Sequence, residues 1–242
     1  MATQEQLDRM SKRAEVGGAK APELKVAFLK FNGNTGEFKI SRKNASGEYE
    51  DETLKDPVKM TILKKRKLLS EFGNYFTPEY ESVRTPVKLF KIDGGVKLET
   101  TDTPSNLRIK YPTLRTHEIA YALVGDETVK FEMKGGSLKG YYDYLTVLKE
   151  ENLHTFQQET VMTVGTGKNS KTGKAFKKIE FAKGAEVDLD KVEAAQVDIV
   201  AQLDARDKFY EEKPEAVGPV QSATDKAFDE MTSDDEDKDI PF

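Results

Sequence analysis

The chain of 242 residues contains no cysteine. Disulfides, thiolate zinc sites, cysteine nucleophiles and thiol redox switches are thereby excluded. Tryptophan is absent too, and His117 and His154 are the only histidines. Neither histidine sits at a spacing that suggests a metal site, so no metal and no cofactor is expected. No apolar run approaches the ~20 residues needed to cross a bilayer. The opening residues Met1–Glu5 lack the basic-then-apolar pattern of a secretory signal, which predicts a cytoplasmic, soluble protein with no membrane partner.

What is present is charge, unevenly placed. Charged residues make up 33% of the chain and hydrophobic ones 37%, with a net charge of −5. Residues 221–242 hold eight acidic residues and two lysines, a balance of −6. The other 220 residues carry 36 basic and 35 acidic groups, or +1. A near-neutral body of this kind can still carry a basic groove, because local charge attracts a phosphate backbone.

Composition divides the chain into a polar arm (1–21), a body with a trailing helix (22–212), and a linker with an acidic tail (213–242). In the arm, Leu7, Met10 and Ala14 fall at helical spacing. The body reads mainly as strands. Residues 24–41 alternate around the turn Asn32–Gly36, which predicts a hairpin. Alternation returns at Val58, Met60 and Ile62, at Val87 to Leu98 around Asp93–Gly95, and at Ile119–Met133 around Gly125-Asp126. Leu107, Ile109 and Tyr111 also alternate, predicting a strand that Pro112 confines to an edge. Ser137 is placed to cap a helix carrying Leu138, Tyr141, Tyr142, Leu145 and Leu148, which Asn152 ends. Two strands follow, 160–164 and 176–181, joined by Gly165–Lys174. From Asp188, Leu189, Val192, Gln196, Ile199 and Leu203 form a helical stripe that packs on the body or on a second copy, so a homodimer is one expectation. Many short strands, a helix before the last two and a trailing helix predict a mainly β fold with added helices. The oligonucleotide/oligosaccharide-binding (OB) β-barrel is the best candidate for the core.

Binding a single strand requires cations along a groove and aromatic faces for base stacking, the latter worth ~1–3 kcal/mol per base. Two segments supply both. The connection and the following strand carry Lys168, Lys171, Lys174, Lys177 and Lys178 without an acidic residue, and Phe176 lies on the face opposite Ile179 and Phe181. The second segment is Lys64-Lys65-Arg66-Lys67, followed by Tyr75 and Phe76; Tyr111 and Arg115 are weaker candidates. Alternative readings are a solubilising lysine-rich hairpin and a solvated turn beside core aromatics. Enzymatic motifs are missing. Five residues rather than four separate Gly167 from Gly173, and Ala175 rather than Ser or Thr follows Lys174, so no phosphate-binding loop is present. A non-catalytic protein is expected, with a nuclease built on scattered carboxylates as an alternative.

The acidic run ends in Asp237-Lys238-Asp239-Ile240-Pro241-Phe242. A solubilising tail accounts for the acids but not for the apolar end, which suits a pocket with an apolar floor and a basic rim. Asp239-Ile240-Pro241-Phe242 resembles the C-terminal tip of bacterial single-stranded DNA-binding proteins. That resemblance covers only the tail. It implies an OB-fold body that coats DNA during replication, recombination and repair, and a tip that docks partner proteins. Phe242 would fill the partner's pocket, Pro241 and Ile240 would shape the hook, and Asp237 and Asp239 would meet the basic rim. The missing tryptophan, the missing Gly/Gln/Pro-rich linker and the longer body depart from the bacterial pattern and point to a bacteriophage-encoded member, acting in the bacterial host cytoplasm. An adaptor that imitates the tip without binding DNA is the alternative.

Overall fold

The computed structural model describes residues 22–93, 95–169 and 172–212. The expectations for the arm, the linker, the acidic tail and Lys171 lie outside these residues. In chain order the elements are β1 (Ala27–Asn32), β2 (Glu37–Lys43), β3 (Tyr49–Leu54), β4 (Val58–Glu71), β5 (Tyr75–Phe76), β6 (Val87–Ile92), β7 (Val96–Asp102), α1 (Pro104–Lys110), β8 (Arg115–Val124), β9 (Glu127–Met133), α2 (Ser137–Glu150), β10 (Gln158–Lys168), β11 (Ala175–Glu186) and α3 (Leu189–Glu212). The protein is mainly β, as expected. Among the described residues no helix is long and apolar enough to cross a membrane.

The strands form one sheet in the order β3-β2-β1-β9-β8-β4-β5-β6-β7, and β10 joins β4 to β11. The hairpin expected over 24–41 is the antiparallel pair β1–β2, with Leu29 opposite Ile40 and Phe31 opposite Phe38. The Gly125-Asp126 turn joins β8 to β9 as expected, with Val124 opposite Glu127. Strand β4 organises the rest. Its start pairs with β10 through Val58–Met60, and Thr61–Ser70 pairs with β8. A register shift between Ile62 and Lys64 leaves Leu63 as the extra residue of a bulge. The bulge turns Ile62 into the main core and Leu63 into a second core, and both are buried.

The main core gathers the inner faces of β1, β2, β4, β8, β9, β10 and β11 over α2, with Phe131, Met60, Met162 and Tyr141 nearly inaccessible. The second core lies on the outer face of β8. There Ile119, Tyr121 and Leu123 meet Val192, Ile199 and Leu203 of α3. Strand β8 is thus buried on both faces, which is why it reads as an unbroken apolar run. The stripe on α3 packs on the body. Gln196, its polar member, donates to the Leu63 carbonyl at 2.8 Å, while Leu189 at its start is 52% exposed.

Several expectations are corrected. The sheet is open rather than closed into a barrel, because β1 pairs in parallel with β9 (Ala27 with Val129, Leu29 with Phe131). That pairing occupies one edge of β9, and β8 occupies the other. The segment Leu107–Tyr111 is the end of helix α1 and its cap, not a strand. Thr103 caps that helix by accepting from the Asn106 N–H, and Pro104 opens it. Only Leu107 of the alternating set is buried, and Ile109 is 79% exposed. Strand β3 has no apolar alternation because it is an exposed edge, Tyr-Glu-Asp-Glu-Thr-Leu, of the charged kind that discourages further pairing.

Ser137 starts α2 as expected, but its side chain does not cap the helix; Gly136 is the N-cap residue. Instead the Ser137 hydroxyl accepts from the Ile179 N–H at 3.1 Å, on the edge of β11 away from β10. Two residues earlier on the same edge, the Lys177 N–H donates to the Gly33 carbonyl at 3.0 Å. These two bonds satisfy an edge that would otherwise be open. Ser137→Ala leaves the buried Ile179 donor unpaired and is expected to cost ~1–3 kcal/mol, read as a lower denaturant midpoint at unchanged slope.

Candidate nucleic-acid interface

The lysine-rich connection is a continuation of its two strands. The β10–β11 ladder runs without interruption to the pair Lys168–Ala175. Its register sets Gly167 opposite Phe176 and Gly165 opposite Lys178, so these four residues share one face. Ile179 lies on the other face and is buried in the main core, as the alternation predicts.

The two glycines have a use. A Cβ placed on Gly167 would lie 2.5 Å from Cζ of Phe176, and one on Gly136 would lie 2.7 Å from Cε2. Any side chain at either position would displace the ring. Phe176 therefore rests directly on two stretches of backbone, one across the ladder and one at the start of α2, and stays half-exposed. The β1–β2 turn braces the base of the hairpin. Gly36, at φ +77°, brings the backbone to where a Cβ would sit 2.8 Å from Val164 Cγ1. The ring is thus mounted on a fixed support and not on a free loop.

Lys168, Lys174 and Lys177 are exposed on the same hairpin, Lys168 and Lys177 on the face opposite the ring. Among the described residues Lys168 and Lys177 have no carboxylate partner, whereas Lys178 is half-buried and 3.1 Å from Glu180. The arrangement combines an oriented aromatic surface with exposed cations, the two elements that single-strand binding requires.

The run Lys64–Lys67 lies within β4, not in a turn. Alternation sends Lys64 and Arg66 toward α3 and Lys65 and Lys67 toward α2. Lys64 meets Glu81 at 2.7 Å. Arg66, with its side chain 4% exposed, meets Asp207 of α3 at 2.7 Å and Glu81 at 3.5 Å. Lys67 meets the buried Glu118 at 2.8 Å and lies 5.9 Å from the centre of the Tyr142 ring. Tyr142 donates to the same carboxylate at 2.6 Å; burial, followed by that bond, pushes its phenol above the ordinary range. Burial lowers the Lys65 ammonium, with Glu118 opposing. Three of the four cations thus tie α3, α2 and the 77–81 segment to the sheet.

The other aromatic candidates are packed. Tyr75 lies against Tyr111 with ring centres 5.2 Å apart, and the Tyr111 hydroxyl donates to Glu99 at 3.3 Å. Phe76 stacks on Phe90 at 5.4 Å. The hairpin and the β4 run are not brought together. Phe176 touches the start of α2, Lys67 lies over Tyr142 five residues into it, and Lys65 lies near its end, so the length of that helix, about 21 Å, separates Phe176 from Lys65.

Two features escaped the sequence reading. Phe72, at the tip between β4 and β5, is 75% exposed; the signal was an aromatic followed by Gly73, which sits at φ +69°. The second is a chain of side chains across three strands. His117 Nε2 lies 3.0 Å from the Ser70 hydroxyl, and its Nδ1 lies 2.5 Å from Glu132. Burial pushes the Glu132 carboxyl up, but its bond to His117 together with the charges of His117, Lys130 and Lys134 outweighs this and holds it below the ordinary range. The order resembles a nucleophile, base and acid. Ser70, however, pairs with Arg115 on one side and Phe76 on the other, so the local backbone is committed to the ladders and forms no oxyanion hole. The chain braces the outer sheet face.

No known protein family, curated protein or solved structure matches this chain.

Proposed function

We propose that this protein is a non-catalytic single-stranded DNA-binding protein. It coats exposed strands during replication, recombination and repair through the β10–β11 hairpin, and it recruits partner proteins through Asp237, Asp239, Ile240, Pro241 and Phe242. The observation that carries this reading is the Phe176 ring, fixed on Gly167 and Gly136, on a hairpin whose Lys168 and Lys177 are exposed on the opposite face.

Connectivity supports it. Strands β4, β8 and β9 form a meander, α2 follows, and the β10–β11 hairpin returns to pair with β4. We read this order as an OB core left open between its third and fifth strands, with β1–β3 added along the gap. In such cores the connection between the fourth and fifth strands contacts oligonucleotides; here that connection is the lysine-rich hairpin. Residues 72–114, with β5–β7 and α1, fill the place of the connection between the first and second strands and add the exposed Phe72.

Salt dependence tests the assignment. Each lysine that neutralises a phosphate contributes a slope of about −0.7 in log affinity against log salt for a single strand. Replacing both Lys168 and Lys177 with Gln is expected to make the slope for oligothymidine shallower by about 1.4. An unchanged slope would place the DNA contacts elsewhere.

A further inference from the structure

A cleft of about 800 Å³ opens at the far end of α2 from the hairpin. Its floor is apolar: Leu145, Leu148, Leu153 and Phe156. Its rim is basic: Lys64, Lys65, Lys149 and His154, the last stacked on Phe156 with ring centres 5.1 Å apart. Among the described residues no carboxylate lines it, and the nearby Glu151 is engaged by Lys183. Lys64 has a partner in Glu81, but among the described residues Lys65 and Lys149 form no close ion pair, Glu118 acting on Lys65 only at longer range.

From these features we infer that the cleft takes the chain's own acidic segment, with Ile240, Pro241 and Phe242 on the floor and the acidic residues before them against the rim. The chemistry is complementary: residues 229–242 hold seven carboxylates, one lysine and an apolar Ile-Pro-Phe end. Charge alone would send this segment to the hairpin, but the hairpin has no apolar floor.

Reach favours the same molecule. The side chain of Gln196 is bonded to Leu63 at the cleft, and Glu212 lies sixteen residues further along α3, about 24 Å away. Residues 213–239 cover that span even at the ~1.5 Å per residue of a helix, about 40 Å, and more easily if extended.

The test uses the full chain with Phe242→p-benzoylphenylalanine, irradiated at low protein concentration without DNA and mapped by mass spectrometry. Cross-links are expected within one chain, to residues 63–65 or 145–156. Reversing two rim charges, Lys65→Glu with Lys149→Glu, is expected to lower their yield about tenfold, since like charges then face the segment. Links to residues 165–178, links only between chains, no links above an unirradiated control, or a yield indifferent to charge reversal would each overturn the inference. Oligothymidine affinity, measured on the same proteins, reports separately on the DNA-binding reading.

Discussion

Phe176→Ala is expected to weaken oligothymidine binding by about five- to 150-fold, the equivalent of ~1–3 kcal/mol for one stacked base. The ring rests on backbone at Gly167 and Gly136, so little rotamer freedom remains to be lost when a base stacks on it. Phe176→Tyr keeps the face and should bind nearly as well as the parent. Phe176→Leu keeps bulk without a π-face and should resemble alanine. Gly167→Val should also weaken binding, because its side chain would occupy the space under the ring. Phe76→Ala makes the contrast: that ring stacks on Phe90, so its loss should lower stability and leave the affinity of the folded protein intact. Fluorescence titration beside a thermal melt separates the two outcomes.

Glu79→Gln should destabilise the protein by ~3–5 kcal/mol, because it leaves buried cations without their counter-charge. The Glu79 side chain is 10% exposed, 2.9 Å from Lys130 and 2.7 Å from the Tyr121 hydroxyl. Burial pushes its carboxyl up, but Lys130, then Arg206, and the bonds from Lys130 and Tyr121 outweigh this and hold it below the ordinary 4.5. A carboxyl depressed in the folded state contributes its full stability above the unfolded value and loses it as pH falls through the folded value. The parent should therefore lose stability progressively below about pH 4.5, and Glu79→Gln should lose less across that window. Glu81→Gln is the control. Glu81 is 52% exposed, its pair with Lys64 is near the surface, and the buried Arg66 keeps Asp207 as its closer partner, so a change of ~0–1 kcal/mol is expected. Urea melts at several pH values measure both.

Much of the local structure was legible because it is written locally. Hairpin β1–β2 has alternation on both sides of an Asn-Gly turn, and Val192, Ile199 and Leu203 repeat at helical spacing. Helix α1 carries a Thr103-Pro104 start signal, but Leu107, Ile109 and Tyr111 imitate a strand. What the sequence hides is non-local. The partners of Lys67 and Arg66 are Glu118 and Asp207, far along the chain, so four adjacent cations read as free when three are ion-paired. The open sheet follows from β1 meeting β9 in parallel, about a hundred residues apart, a pairing that no local pattern announces. At the candidate site the lysines and Phe176 were legible. The seat beneath the ring was not, because it depends on the cross-strand register and on Gly136 from another element.

The central claim meets its most direct test in one titration. The full chain is added to labelled oligothymidine and, separately, to a duplex of equal length, at low and at moderate salt. The account predicts tight single-strand binding that weakens steeply with salt, and much weaker duplex binding. No binding to oligothymidine at low salt, or equal affinity for the duplex, would contradict it.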